Sequence, residues 1–450
     1  MRVNPRPIAL YQIVLLALLV LLVYDGAVRK WLLPQAEQIV FILKDALLIV
    51  ALGLSAAWRP HKTSSSFPAA VQAMLFLYAT WVLLEVANQN LPNLLVGLWG
   101  VKSHLLYASL IRLLPLAFTK VDDVLKVVER IYPWVVIPVC GLAFVQVLAP
   151  PDSVLNQQVA GGLEGISRFG DEGLVRVSGT FSYLSGMASF VQCTTLLGFG
   201  LFLGGARSKI FLCGLGFAVA ALPVTGSRSV LAVVLVATMA MLFAAQAAGA
   251  VGLRVVLRVV IATTLFALIS VTVQDAAWEA FVQRAEGAGD QENRVLILFT
   301  SAFDFMDVSG FTGFGSGSAN LGAQALAGSA VPFSWLPMRD AFEEEAGRLV
   351  IELGIIGWAF SISLRVGLLL WASSLTFTGA NSRIRLIGIL ALPMMGLGVL
   401  QGTGVFGVPL TAVYYWFCVA LMAMARFEDK LVSRSAQSAA HRLRREIGTR

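Results

Sequence analysis

Long apolar runs recur along the chain, beginning with Ile13-Val-Leu-Leu-Ala-Leu-Leu-Val-Leu-Leu22, and short polar stretches separate them. A strand of a membrane barrel alternates apolar and polar residues, so unbroken runs of this length predict helices instead. The first reaches from the N-terminus to about Val23. Further spans are expected near 38–56, 68–87, 94–117, 132–149, 179–203, 209–225, 228–247, 253–273, 347–371, 384–401 and 408–425. The pattern predicts an all-α polytopic membrane protein with about twelve transmembrane helices, each near the length needed to cross a bilayer.

Composition agrees. Of 450 residues, 58% are hydrophobic and 13% charged, with a mean hydropathy of +0.79, against about 25% charged in a soluble domain. The net charge of +7 fits a cytoplasmic lysine and arginine excess, and no nucleic-acid partner is expected. Cys140, Cys193, Cys213 and Cys418 all fall in apolar runs without a CxxC pair. With only His61, His104 and His441 besides, neither a disulfide nor a metal centre is expected.

Charge also orients the spans. The N-terminal run has a basic flank but no small-residue cleavage site before Arg29 and Lys30, so it reads as an uncleaved helix. The connections holding Arg59 and Lys62, 120–130, Arg207 and Lys209, Arg254 and Arg258, Arg383 and Arg385, with both termini, carry twenty of the 33 basic residues. These ends are expected in the cytoplasm. The chain then divides into helices one to nine over 1–274, with an outer loop at about 150–178, a large extracytoplasmic loop over 275–346, helices ten to twelve over 347–425, and a basic cytoplasmic tail over 426–450. A loop as long as 275–346 is usually a lid or binding element.

Arginines on the outer side run against the charge bias. Arg176 opens Arg-Val-Ser-Gly-Thr-Phe181, Arg228 ends Thr-Gly-Ser-Arg where two spans meet, and Arg294 opens Arg-Val-Leu-Ile-Leu298. Three guanidinium groups at one depth suit a diphosphate through bidentate, charge-assisted hydrogen bonds. The bland alternative is that each snorkels to lipid phosphate or pairs with a loop acid such as Asp171 or Glu172. Glu343, Glu344 and Glu345, followed by Arg348 and Glu352, stand at a helix entrance. There they are either dipole stabilisers with an i,i+4 pair to Arg348, or the source of a general base.

Lys44, Asp45, Glu85, Lys102, His104 and Arg112 interrupt apolar spans, where charge is expected to be paired. Asp25, Arg29 and Lys30 are further candidates to line an outer cavity. The glycine-rich stretch Gly310-Phe-Thr-Gly-Phe-Gly-Ser-Gly317 lacks a Walker lysine, which argues against nucleotide binding.

Taken in order, Arg176-Val-Ser-Gly-Thr-Phe181, Ser227-Arg228, Arg294-x-x-x-Leu298 before Thr312-Gly-Phe-Gly-Ser-Gly317, and Glu352-Leu-Gly-Ile-Ile-Gly357 resemble the O-antigen ligase and Wzy-type polysaccharide polymerase superfamily. These are GT-C-class membrane glycosyltransferases with one large periplasmic loop. The similarity covers roughly 170–360 in motif and the whole chain in layout.

The resemblance implies an undecaprenyl-diphosphate-linked oligosaccharide donor, a glycan acceptor hydroxyl, no cofactor and no metal, in the bacterial inner membrane, with other polysaccharide-assembly proteins as possible partners. The ligases carry a histidine before the pattern x9-Gly-x2-[Gly/Thr/Tyr]. Laid on Gly354 and Gly357, that spacing puts Glu343 at the histidine position.

None of the three histidines lies in the loop, which turns the expectation toward a polymerase or a member with a different acceptor. On this reading Glu343 is the catalytic base, Arg176, Arg228 and Arg294 hold the diphosphate, and Arg348 tunes the carboxylate or contacts glycan. Trp278, Phe333 and Trp335 would stack on sugar or anchor at the interface. The rival from another class is a secondary transporter or lipid-glycan flippase, which would place its working charges near the membrane midplane.

Overall fold

In a computed structural model, the residues described are 5–57, 66–157, 168–169, 174–257, 259–261, 300, 302–320, 323–327, 345–400, 405 and 407–448. Among them, ten helices are long and apolar enough to cross a membrane, and Lys209–Val224 is a shorter apolar one. The protein is an all-α, multi-pass membrane protein. Outward-facing side chains such as Ile39, Phe243 and Leu370 are large and apolar, as a lipid-facing surface requires.

The helices are α1 (Pro5–Ala27), α2 (Glu37–Ala57), α3 (Ala69–Leu84), α4 (Leu94–Leu105), α5 (Leu110–Ala117), α6 (Val121–Leu148), α7 (Leu184–Leu203), α8 (Lys209–Val224), α9 (Arg228–Ala247), α10 (Glu345–Thr378), α11 (Ser382–Leu400) and α12 (Pro409–Gly448). One two-residue antiparallel ladder pairs Arg168–Phe169 with Leu174–Val175. The membrane part of α12 is the most enclosed, with Trp416, Tyr415 and Val419 fully buried.

Several boundaries differ from expectation. α6 begins at Val121 rather than near 132, because Asp122 and Asp123 favour a helix N-terminus. α7 starts at Leu184, since 176–182 is used as a separate docked segment. α12 continues as helix through the basic residues after Arg426.

The two ends of the bundle are distinct. At one, the Ser66 amide donates to Ala423 and Lys430 to the Ser66 hydroxyl. At the same end Glu428 accepts from the Val121 amide, Arg385 donates to the Ala248 carbonyl, and Arg383 pairs with Asp122. The connections richest in lysine and arginine therefore gather together. The opposite end carries the polar groups described next.

The span expected over 347–371 is not one continuous helix. Gly354 has φ 66° and ψ −176°, a conformation outside the helical region. Glu345 and Arg365 nevertheless meet through two hydrogen bonds of 3.0 and 3.2 Å. Twenty residues of straight helix would hold them about 30 Å apart. The chain therefore reverses at Gly354, and 345–353 is a half-helix folded back along 355–378.

Candidate functional site

A helix broken inside a bundle leaves its last carbonyls and the next helix's first amides without partners, and water is not there to satisfy them. Here the glycine-rich stretch does so. The Phe314 and Gly315 amides donate to the carbonyls of Ile351 and Glu352 at 2.8 and 3.0 Å, while the Trp81 indole donates to Leu353. In return the carbonyls of Gly310 and Phe311 accept from the Ile355 and Ile356 amides.

Such an exchange needs backbone against backbone. A Cβ on Gly313 would overlap Gly354 and Ile351, and one on Gly317 would overlap Val96 and Gly100. Both glycines also have positive φ, so side chains are excluded by strain as well as by space.

Two of the motifs that carry the resemblance, Thr312–Gly317 and Glu352–Gly357, are thus packed on each other. The Glu352 carboxylate lies at their junction and is buried, accepting from the Gly317 amide at 3.1 Å and from His104 Nε2 at 2.7 Å. His104 Nδ1 faces the Tyr78 hydroxyl at 2.9 Å. An ionised carboxylate only accepts, so Nε2 carries the donated proton and a neutral ring takes the tyrosine proton at Nδ1. The pairing of Glu352 is with His104 across the bundle, not with Arg348 one turn back.

The third motif docks on the end of α1. Thr180 donates to the Val23 carbonyl, Lys30 reaches the Ser178 hydroxyl and the Gly179 carbonyl at 3.1 and 2.7 Å, and Arg29 donates to the Ser182 hydroxyl at 2.8 Å. Gln146 of α6 accepts from the Gly179 amide. Gly26 makes this contact possible, because a Cβ there would meet the backbone of 180–182.

Beside it, charges gather around the Phe41 ring. Lys44, Lys102 and the Arg29 guanidinium lie 4.1, 4.8 and 5.0 Å from its centroid, and Lys102 is 3.8 Å from that of Trp99. Of the intramembrane charges expected to be paired, Lys44 meets Asp25 at 2.7 Å and Lys102 meets Asp45 at 2.8 Å, whereas the Glu85 carboxylate accepts from the Asn88 side-chain amide. Arg112 instead donates to the hydroxyl and carbonyl of Ser55. Asn320 links the glycine-rich loop to this cluster, accepting from the Trp99 indole and donating to Ser103. Among the described residues, no three His, Cys, Asp or Glu side chains gather as metal ligands would.

Comparison with protein-family models gives no match, and neither does comparison with curated proteins. The chemistry of the site is therefore read from its own side chains.

Arg176 stands at the head of the docked segment. Arg228 is the first residue of α9, after the tight turn at Gly226 (φ 61°) that joins it to α8. Arg294, Glu343, Glu344, Trp278, Phe333 and Trp335 lie outside the described residues. Glu345, the last of the acidic run, is buried and held by Arg365, which also donates to the Gly398 carbonyl at 2.7 Å. Arg348 lies against Gly407, and its Nε and Nη2 are buried with no hydrogen-bond partner among the described residues.

Arg365 excepted, each of these charges is legible in the sequence, but their partners are not. The signal for a partner was only that polar residues interrupt apolar spans, which says nothing about which span answers.

Proposed function

We propose that the protein is a membrane glycosyltransferase, a polymerase or ligase. It moves a glycan from an undecaprenyl-diphosphate-linked donor to a sugar hydroxyl on the extracytoplasmic face of the bacterial inner membrane, in surface polysaccharide synthesis. One observation carries this reading. Three of the segments on which the resemblance rests, 176–181, 312–317 and 352–357, lie at the same end of the bundle, opposite the end where basic connections gather, and the first of them bonds the buried Lys30.

In the reaction the acceptor oxygen forms a bond to the anomeric carbon, and the bond from that carbon to the diphosphate oxygen breaks. The electron pair leaves with the lipid diphosphate. Glu343 takes the acceptor proton, and Arg176, Arg228 and Arg294 balance the charge growing on the leaving group. Arg348, whose buried Nε and Nη2 have no hydrogen-bond partner among the described residues, contacts the glycan.

The test is incubation of the purified protein with a defined lipid-diphosphate oligosaccharide. Longer lipid-linked products identify a polymerase, and transfer to a second acceptor identifies a ligase. Glu343→Gln keeps shape but not basicity, so turnover should fall by at least about 10²-fold with donor binding intact. Arg228→Lys should also impair turnover, since a point charge does not replace a planar fork. If Glu343→Gln and Glu344→Gln both remain active, these two carboxylates are helix-entrance electrostatics only, Glu345 being held in its buried pair with Arg365.

Orientation has its own check. With both termini cytoplasmic and 275–346 outside, a cysteine placed at 290 should react with an impermeant reagent added to intact cells, and one at 434 should not. The reverse labelling would invert the map.

The folded-back half-helix 345–353 favours one other reading. Discontinuous helices whose ends meet ionised side chains within the membrane are a device of transporters, and a flippase for lipid-linked glycans would use one. Movement of the lipid between leaflets without any new glycosidic bond would select that reading.

A further inference from the structure

Hydrogen bonds of the glycine-rich stretch fix the depth at which that loop lies. At the end where basic connections gather, the Ser66 amide bonds Ala423, just before Arg426, the first charge in α12. From there α3 rises through 16 residues, about 24 Å at the rise of a helix and less than the roughly 30 Å of a bilayer's hydrocarbon core. Glu85 follows directly, and its carbonyl accepts from the Ser316 amide. Asn88 and Asn90 bond the Gly313 carbonyl, and Asn93, before α4, bonds that of Leu326. The loop is thus held level with the end of α3 and the break in α10, at the outer edge of the apolar layer.

One side of the segment leading into it is packed. Ala302, Phe305 and Met306 lie against Ala346, Val350 and Trp358. The other side is open: Phe303, Val308 and Phe311 are 59%, 45% and 75% exposed, with the Phe303 ring centroid 5.9 Å from that of Trp358. At the same level Leu83 and Leu84 of α3, and Leu94, Leu95 and Leu98 of α4, are also exposed. The lipid-facing surface of the spans therefore continues onto this segment.

Asp304 and Asp307 are exposed among these apolar side chains, and a carboxylate is costly among acyl chains. They limit the depth, because a segment carrying both kinds of side chain is stable along the boundary, with acids toward water and apolar groups toward lipid. Lipid tails are as apolar as leucine, so a partner protein would gain little by covering Phe303, Val308 and Phe311.

We propose that 302–311 lies along the bilayer surface, with Phe303, Val308 and Phe311 among the acyl chains and Asp304 and Asp307 in water. Lipid then holds the outer side of the loop that caps both halves of α10. The placement does not depend on which reaction the site performs.

The full-length protein in nanodiscs of phosphatidylethanolamine and phosphatidylglycerol, spin-labelled at single introduced cysteines, tests this. Cys213→Ala removes the exposed native thiol, and Cys140, Cys193 and Cys418 are buried. Labels at Phe303→Cys, Val308→Cys and Phe311→Cys should meet oxygen and lose contact with a water-confined nickel chelate as fully as one at Leu370→Cys, on the lipid side of α10. Labels at Asp304→Cys and Asp307→Cys should meet the chelate as one does at Ser382→Cys, exposed in the turn before α11. If one apolar variant does not fold, the other two decide.

Chelate contact at the apolar positions puts the segment in water and overturns the proposal. Protection of those positions from both reagents means that protein covers the face, and overturns it equally. Loss of chelate contact at both acids does the same, because the segment then has no side in water.

Discussion

Gly354→Ala should cost the fold about 3 kcal/mol or more, since a non-glycine residue forced into so sparse a backbone region already costs about 1–3 kcal/mol. The added Cβ would also overlap the backbone of Phe311 and Thr312. Relief of that overlap means moving the loop that caps both halves of α10, which exposes the carbonyls of Ile351 and Glu352 and the amides of Ile355 and Ile356. Thermal unfolding of the detergent-purified protein is the measurement, with Gly216→Ala as its control. Gly216 lies in α8 with open space around the position of a Cβ. Alanine there should be neutral or stabilising by up to about 1 kcal/mol, the difference in helix propensity. Equal stability of the two variants would mean that the reversal at Gly354 is not what holds the half-helix.

Arg365→Met should be nearly as damaging. Arg365 and Glu345 are both enclosed, with side chains 1% exposed, and removing one partner of such a pair costs about 3–5 kcal/mol because the other charge is left buried alone. Glu345→Gln removes the opposite partner and should also destabilise. The double variant should recover much of the loss, because no ion is then stranded. A double-mutant cycle on unfolding midpoints measures the coupling. Near-additive effects would show that the two side chains act independently and that the half-helix is held by its loop contacts alone.

The same two positions also show where sequence stops. That the chain is all-α and crosses a membrane many times was legible in its apolar runs, because every backbone amide and carbonyl in lipid must be satisfied locally and a helix does that within one segment. The gathering of basic connections at one end, and the presence of paired charges inside spans, followed from the cost of ions in an apolar medium. Those are local or one-dimensional properties, and composition and spacing carry them.

What only the tertiary structure decided is which distant groups answer one another. Glu352 takes His104, 248 residues away, where helical spacing offered Arg348. Lys44 takes Asp25 although Asp45 is its neighbour in sequence, because neighbouring residues on a helix project about 100° apart and the cation follows the face it shares with α1. The reversal at Gly354 was hidden for a related reason. An apolar run that continues through a glycine reads as one helix, and the evidence against it lies in the amides of 310–315, which become partners only once that loop is packed against the break. Periodicity reports which side of a helix is apolar. It contains no information about which polar atom of another segment arrives there, and in this protein those arrivals build the site.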